Sequence, residues 1–228
     1  MQFLLNTKRD SSKVLEYYKR MQARSIQPTM HTYKLLIDTY ATLEPINLEA
    51  AESVFDAIRS RGLTPEASHW ASLLHAKGCV LHDLAGAKKI FDSAISMPNI
   101  HSKASLYQAL FESLVANHAM DQTDALVQDM ANRKVDMTAY IANTLIHGWA
   151  TECNIEKAKA AYDSISSVSR EPSTYEAMTR AYLVAENREG AAEVAREMLS
   201  CGYPSAVTGK VLELLGGGES LAASTPSL

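Results

Sequence analysis

Proline and glycine are scarce in this chain, 7 and 10 among 228 residues, and cysteine is scarcer still at 3. With so few breakers and with Ala, Leu, Glu, Lys and Met plentiful, local propensity favours helix almost everywhere, and strands find little support. The three cysteines, Cys79, Cys153 and Cys201, are odd in number and far apart, and no CxxC pair is present. That excludes a disulfide framework and offers no zinc-ribbon spacing, so a reducing compartment fits best. No stretch approaches the roughly 18 apolar residues of a membrane span, and the apolar part of "MQFLLNTKRD" is too short for a secretory signal. A long basic run is also missing: the formal charge is −4 and the pI about 6.0. Bulk charge therefore does not announce a nucleic-acid partner, and any such binding must come from a local surface.

Catalytic and cofactor motifs are equally thin. There is no GxSxG, no HExxH and no Gly-rich strand-to-helix turn. "GYPSAVTGKV" resembles a phosphate loop, but six residues separate Gly202 from Gly209 instead of four, and Val211 stands where Ser or Thr is required. Five of the seven histidines, His31, His69, His75, His118 and His147, fall in or beside the same kind of helix at different phases, and they read as groove or turn residues. The expectation is a non-enzyme with no catalytic residues, no metal, no cofactor and no small-molecule substrate.

What the chain does contain is a repeat. The segments "HTYKLLIDTYA", "SHWASLLHAKG", "SLYQALFESLV", "YIANTLIHGWA" and "STYEAMTRAYL" align with Tyr33, Trp70, Tyr107, Ala142 and Tyr175 in one column, in steps of 37, 37, 35 and 33. A second column, Ala51, Ala87, Thr123, Ala158 and Ala191, keeps the same phase with steps of 36, 36, 35 and 33. Within each unit the pattern predicts helix, turn, helix. The first helix carries an apolar stripe, as in Tyr33, Leu36, Ile37 and Tyr40. Asp10, Asn47, Asp83, Asn154 and Asn187 precede the second helix as N-cap residues, with Asp121 in that role two residues later. One hairpin cannot bury both faces, so neighbours must stack, and an all-α solenoid of helix-turn-helix hairpins follows.

The phase divides the chain into residues 1–29, the second half of a truncated repeat with "MQFLLNTKR" as the stump of a first helix, and repeats over 30–66, 67–103, 104–138, 139–171 and 172–206. A capping helix over 207–216 and a disordered tail over 217–228 follow. A start in mid-unit suggests the C-terminal portion of a longer array, with any targeting signal upstream.

Residues 28–66, "PTMHTYKLLIDTYA...LEAAESVFDAIRSRGLTPE", resemble the pentatricopeptide repeat in their aromatic-led first helix, the Ala and Phe of the second, and the closing Gly, aliphatic residue and Pro. The tetratricopeptide signature W-x2-L-G-x2-Y is absent from every first helix. The array is also similar to the C-terminal part of fungal mitochondrial pentatricopeptide proteins that promote expression of the cytochrome oxidase subunit 1 message. The resemblance implies a right-handed α-solenoid in the mitochondrial matrix that binds single-stranded mRNA, about one base per repeat. It also implies which residues read a base: Lys34 with Glu66, Ala71 with Lys103, Gln108 with Thr138, Asn143 with Glu171, and Glu176 with Ala206. His31, Ser68, Ser105, Tyr140 and Ser173 take the stacking column. The candidates drawn from these columns are His31, Lys34, Lys103, Gln108, Thr138, Tyr140 and Asn143. Only Asn143 keeps the residue type expected of its column. Where the family often places a phosphate-binding lysine, this chain has Thr42, Cys79, Ala116, Thr151 and Val184. The alternative is a scaffold that docks a mitochondrial ribosome or translation factor, favoured by the 16 Lys/Arg against 24 Asp/Glu after residue 29.

Overall fold

A computed structural model describes residue 1 and residues 9–98, 100 and 102–216. The expected first-helix stump lies mostly, and the expected disordered tail wholly, outside the described residues. Twelve α-helices and no strand occur among those described: α1 (Ser11–Ala23), α2 (Met30–Thr42), α3 (Leu48–Arg59), α4 (Ala67–His75), α5 (Leu84–Ile95), α6 (Ala104–Ala116), α7 (Thr123–Asn132), α8 (Ala139–Thr151), α9 (Ile155–Asp163), α10 (Pro172–Val184), α11 (Arg188–Ser200) and α12 (Ser205–Leu214). α12 overlaps the segment 207–216 in which a capping helix is expected. The chain divides into two compact units, Met1–Ala119 and Met120–Leu228.

In the first unit α2 pairs with α3 and α4 with α5, while α2, α4 and α6 lie side by side as consecutive first helices. Tyr33, Leu36, Ile37, Ala51, Val54, Phe55, Ile58, Leu73 and Ala76 are buried in one cluster, which is where the two columns of the repeat meet. In the second unit α8 pairs with α9 and α10 with α11, and α8, α10 and α12 form the row of first helices. There the aromatic column turns inward as a fully buried Tyr175, set edge-on to Tyr162 and Tyr203. Each unit is thus a stack of hairpins held by a continuous apolar layer.

The turn inside each hairpin combines two devices. The five Asp and Asn residues expected as caps accept the backbone N–H three residues on: Asp10 from Lys13, Asn47 from Ala50, Asp83 from Gly86, Asn154 from Lys157 and Asn187 from Gly190. Before four of these five caps the preceding residue adopts a left-handed conformation, with φ of 47° at Arg9, 53° at His82, 56° at Cys153 and 57° at Glu186. This reverses the chain and lets the next N–H close the first helix, as Asn154 N–H does on Trp149 O at 2.8 Å and Asn187 N–H on Tyr182 O at 2.9 Å. Asp121 is a correction. It lies in a 3-10 turn, Met120–Gln122, and the position before α7 is Gln122, without a side-chain cap. The buried Thr123 hydroxyl instead donates to Met120 O at 2.7 Å, fastening that turn to the helix start.

Two first helices are tied to their neighbours by polar contacts. His69, buried on α4, uses Nδ1 to accept the Glu66 N–H at 3.2 Å and turns Nε2 to Met30 O on α2 at 3.0 Å, so its ring is a structural strut. After His75 the α-helix widens into a π-helical turn, Ala76–Val80, closed by Leu81 N–H on Ala76 O at 3.0 Å. Gly78 lies in that turn against α6: a Cβ there would stand 2.0 Å from Ser113 Oγ. Asn117 Nδ2 bridges the two segments, donating to Gly78 O and Ser113 O at 2.7 Å each. No helix of the described residues is long and apolar enough to cross a membrane.

Candidate nucleic-acid interface

Residues four apart share a helix face, so the position after the first-helix aromatic and the position one turn later form a two-residue stripe on every first helix. In the first unit the stripe reads Lys34 and Asp38 on α2, Ala71 and His75 on α4, Gln108 and Glu112 on α6. In the second it reads Asn143 and His147 on α8, Glu176 and Arg180 on α10. None of these ten side chains belongs to the buried core. Glu66, Lys103, Thr138 and Glu171, expected as the last residues of the first four repeats, are the N-caps of α4, α6, α8 and α10. That capping position places each beside the start of the stripe.

Charges on the stripe are mostly matched within it. Lys34 Nζ meets Asp38 Oδ2 at 2.7 Å, and Arg180 meets Glu176 Oε1 at 2.9 Å. His75 Nδ1 meets Glu112 Oε2 at 2.9 Å across α4 and α6. Hydrogen bonds to Cys79 and then Glu112 push the His75 pKa up to about 10, against the effect of burial. A cation already paired at this distance has less to offer a phosphate, so the face is polar without being strongly basic.

Each sequence-predicted residue has a definite place. His31 is exposed at the start of α2, Lys34 is held by Asp38, and Gln108 is half-buried on α6. The Lys103 N-cap is half-buried. The Thr138 hydroxyl caps α8 by accepting the Ile141 N–H at 3.2 Å, so its oxygen is already engaged. Tyr140 is 53% exposed, a large aromatic face in solvent. Asn143 Nδ2 donates to Ser173 Oγ at 3.0 Å, joining α8 to α10 through a position expected to read a base and one expected to stack on it, and its Oδ1 is buried with no hydrogen-bond partner. The fold therefore brings Asn143 and Ser173 together, and Lys34 with a carboxylate. It joins neither His31, Lys103 nor Gln108 to another candidate among the described residues.

Two clefts open along these faces. One, of about 620 Å³, is lined by Thr64, Pro65, Glu66, Ser68, Ser102 and Ser105 at the N-terminal ends of α4 and α6. It contains Ser68 and Ser105, two of the residues expected in the stacking column. The other, of about 400 Å³, runs between α8 and α10, with His147, Thr151, Ser173, Glu176, Arg180 and Val184 on its walls.

Sequence reasoning passed over one cluster. His75, Cys79 and Glu112 place a ring nitrogen, a thiol sulfur and a carboxylate oxygen within 4.8 Å of one another. Read one at a time, the histidines have no HExxH partner. The signal was present in the register: His75 and Cys79 are four apart, and adding one 37-residue step to His75 gives Glu112.

A family model described as pentatricopeptide repeat-containing protein matches residues 47–165. The chain is 33% identical over 221 residues to pentatricopeptide repeat-containing protein 5, mitochondrial, of Schizosaccharomyces pombe, covering 94% of this chain and 18% of that relative. Among solved structures it is similar to the pentatricopeptide repeat protein PPR10 in complex with an 18-nt psaJ RNA element, at TM-score 0.58 and 16% identity over 87% of this chain and 28% of the other. PPR10 from maize gives TM-score 0.52 at 19% identity over 86% of this chain and 27% of the other. The fold is the α-solenoid of these proteins, and the chain spans under a third of the length of each.

Proposed function

The chain belongs to the pentatricopeptide repeat family, and from that premise we propose that it is an RNA-binding module of a mitochondrial post-transcriptional factor, acting on the translation or stability of a mitochondrial mRNA in the matrix. The observation that carries this reading is the register of the first helices. In each unit, equivalent side chains recur on neighbouring helices, and Asn143 contacts Ser173 of the next repeat. A single strand with splayed bases needs such a periodic polar ladder, with an aromatic face for stacking. The mitochondrial relative and the RNA-bound solved neighbour support it. Within this reading the repeats run over 30–66, 67–103, 104–138, 139–171 and 172–206, and His31, Lys34, Lys103, Gln108, Thr138, Tyr140 and Asn143 face the strand.

The test is fluorescence anisotropy of a randomised single-stranded RNA with the wild-type chain and with a Lys34→Ala, Tyr140→Ala, Asn143→Ala triple variant. The triple variant is expected to bind about tenfold more weakly or worse, given the value of one base-stacking aromatic. Wild-type affinity and wild-type salt dependence in that variant would remove this region from the RNA site.

A second reading is favoured by the pairing of Lys34 with Asp38 and Arg180 with Glu176. A face whose cations are internally matched suits a protein partner such as a mitochondrial ribosome or translation factor. A pull-down from organelles with the same chain discriminates the two: recovery of RNA without protein counts against the docking role.

A further inference from the structure

We propose that His75, Cys79 and Glu112 form a Zn²⁺ site that staples α4 to α6. Three donors of different chemistry converge: an imidazole nitrogen, a thiol sulfur and a carboxylate oxygen, all within 4.8 Å of one another. A tetrahedral zinc ion with bonds of about 2.0–2.3 Å separates its ligands by roughly 3.3–3.6 Å. The His75 Nδ1 to Glu112 Oε2 distance is 2.9 Å, and Cys79 Sγ lies within 4.8 Å of both, so the three donors already stand close to that separation. The backbone around it is already fixed. His75 ends α4, Cys79 follows in the π-helical turn, and Gly78 lets that turn press on Ser113, next to Glu112. Asn117 holds the same two segments together.

The donor set selects the metal. Thiolate and imidazole favour zinc over the hard cations magnesium and calcium, which take oxygen ligands. Three protein ligands leave the fourth position to a solvent oxygen. Binding is a proton exchange: the Cys79 thiol releases its proton to solvent, and the metal replaces the proton that His75 Nδ1 shares with Glu112. One dipositive ion then faces one thiolate, one carboxylate and one neutral ring, and the site is electrically neutral. The ion therefore strengthens the contact between consecutive first helices without making the face more basic.

The inference stands apart from RNA binding, and its test contains no RNA. The full chain, stripped by chelator and dialysed, is titrated with Zn²⁺ against a chromophoric competitor, and with Co²⁺ as a spectroscopic substitute. Wild type is expected to take up one ion per chain, to show a thiolate-to-cobalt charge-transfer band, and to gain several degrees in Tm with Zn²⁺. Cys79→Ser is expected to lose the band and the Tm gain. His75→Ala and Glu112→Gln should weaken binding by at least the roughly 10- to 100-fold that losing even an outer partner costs. Cys153 and Cys201 are exposed, and a Cys153→Ser, Cys201→Ser variant should bind as wild type does, which keeps stray thiols from imitating the site. Should Cys79→Ser bind Zn²⁺ with unchanged stoichiometry and affinity, or should the folded wild type bind none at micromolar metal, the staple does not exist.

Discussion

Gly78 shows how one residue's lack of a side chain organises a neighbourhood. A Cβ at this position would overlap Ser113 Oγ at 2.0 Å and Ser113 Cβ at 2.3 Å, and would touch Ala87 Cβ at 3.2 Å. Ser113 is fully buried and its hydroxyl donates to Ala109 O at 2.7 Å, so it has nowhere to turn. Gly78→Ala must therefore push α6 away from the π-helical turn, with loss of the Asn117 bridge. Overpacking of this kind costs about 1–3 kcal/mol. The two tryptophans give a local readout, since Trp70 lies in the first unit and Trp149 in the second. In a Trp149→Phe background, urea unfolding followed by Trp70 fluorescence should show the Gly78→Ala midpoint lowered at unchanged slope. An unshifted midpoint would mean that α6 yields without cost and that the close approach is not needed.

At the scale of the hairpin, the left-handed residues before the caps are the points where sequence and conformation disagree. Glu186 adopts φ 57° and is exposed, and the turn it forms needs only its backbone. A residue with a Cβ is strained there by about 1–2 kcal/mol, part of which Gly recovers at the expense of a freer unfolded chain. Glu186→Gly is expected to stabilise the second unit by about 0.5–1 kcal/mol, read from Trp149 fluorescence in a Trp70→Phe background. A loss of stability would show that the Glu186 side chain does more than the backbone geometry implies. The same turns show what could be read in advance. Asn and Asp caps were legible because their acceptor is chemically specific, and the alternation of Tyr33, Leu36, Ile37 with Ala51, Val54, Phe55 located both helices of a hairpin. The left-handed positions were not, because Arg9, His82, Cys153 and Glu186 are not glycines that would announce them. Asp121 was misplaced because a 3-10 turn shifted the start of α7 past it. The π-helical turn after His75 has no sequence signal of its own, so the His75, Cys79, Glu112 cluster could be reached only by combining the i to i+4 rule with the repeat step. For the candidate interface, sequence supplied the columns, while the Lys34–Asp38, Glu176–Arg180 and Asn143–Ser173 contacts required coordinates, because rotamers and not register decide who meets whom.

For the molecule as a whole, the distribution of charge matters more than its total of −4. If RNA follows the first-helix faces, its affinity depends on how many phosphates meet an unmatched cation. The column where the family often carries lysine holds Thr42, Cys79, Ala116, Thr151 and Val184, none of them cationic. Binding should then respond weakly to salt, since each neutralised phosphate on a single strand contributes a slope of about −0.7 in log K against log salt. Thr151 and Val184 are both exposed and both line the cleft between α8 and α10, so lysine at either can be added without disturbing the core. A Thr151→Lys, Val184→Lys variant is expected to bind single-stranded RNA more tightly at low salt and to steepen the slope by up to about 1.4, with no change in fold by circular dichroism. Placing the same two lysines on the opposite side of the hairpins, at exposed Glu156 and Glu193 of α9 and α11, raises net charge even further but should leave the slope nearly as it was. If both double variants steepen the slope equally, the protein responds to net charge alone and no particular face carries the strand; if only the first does, the first-helix face is where the phosphates run.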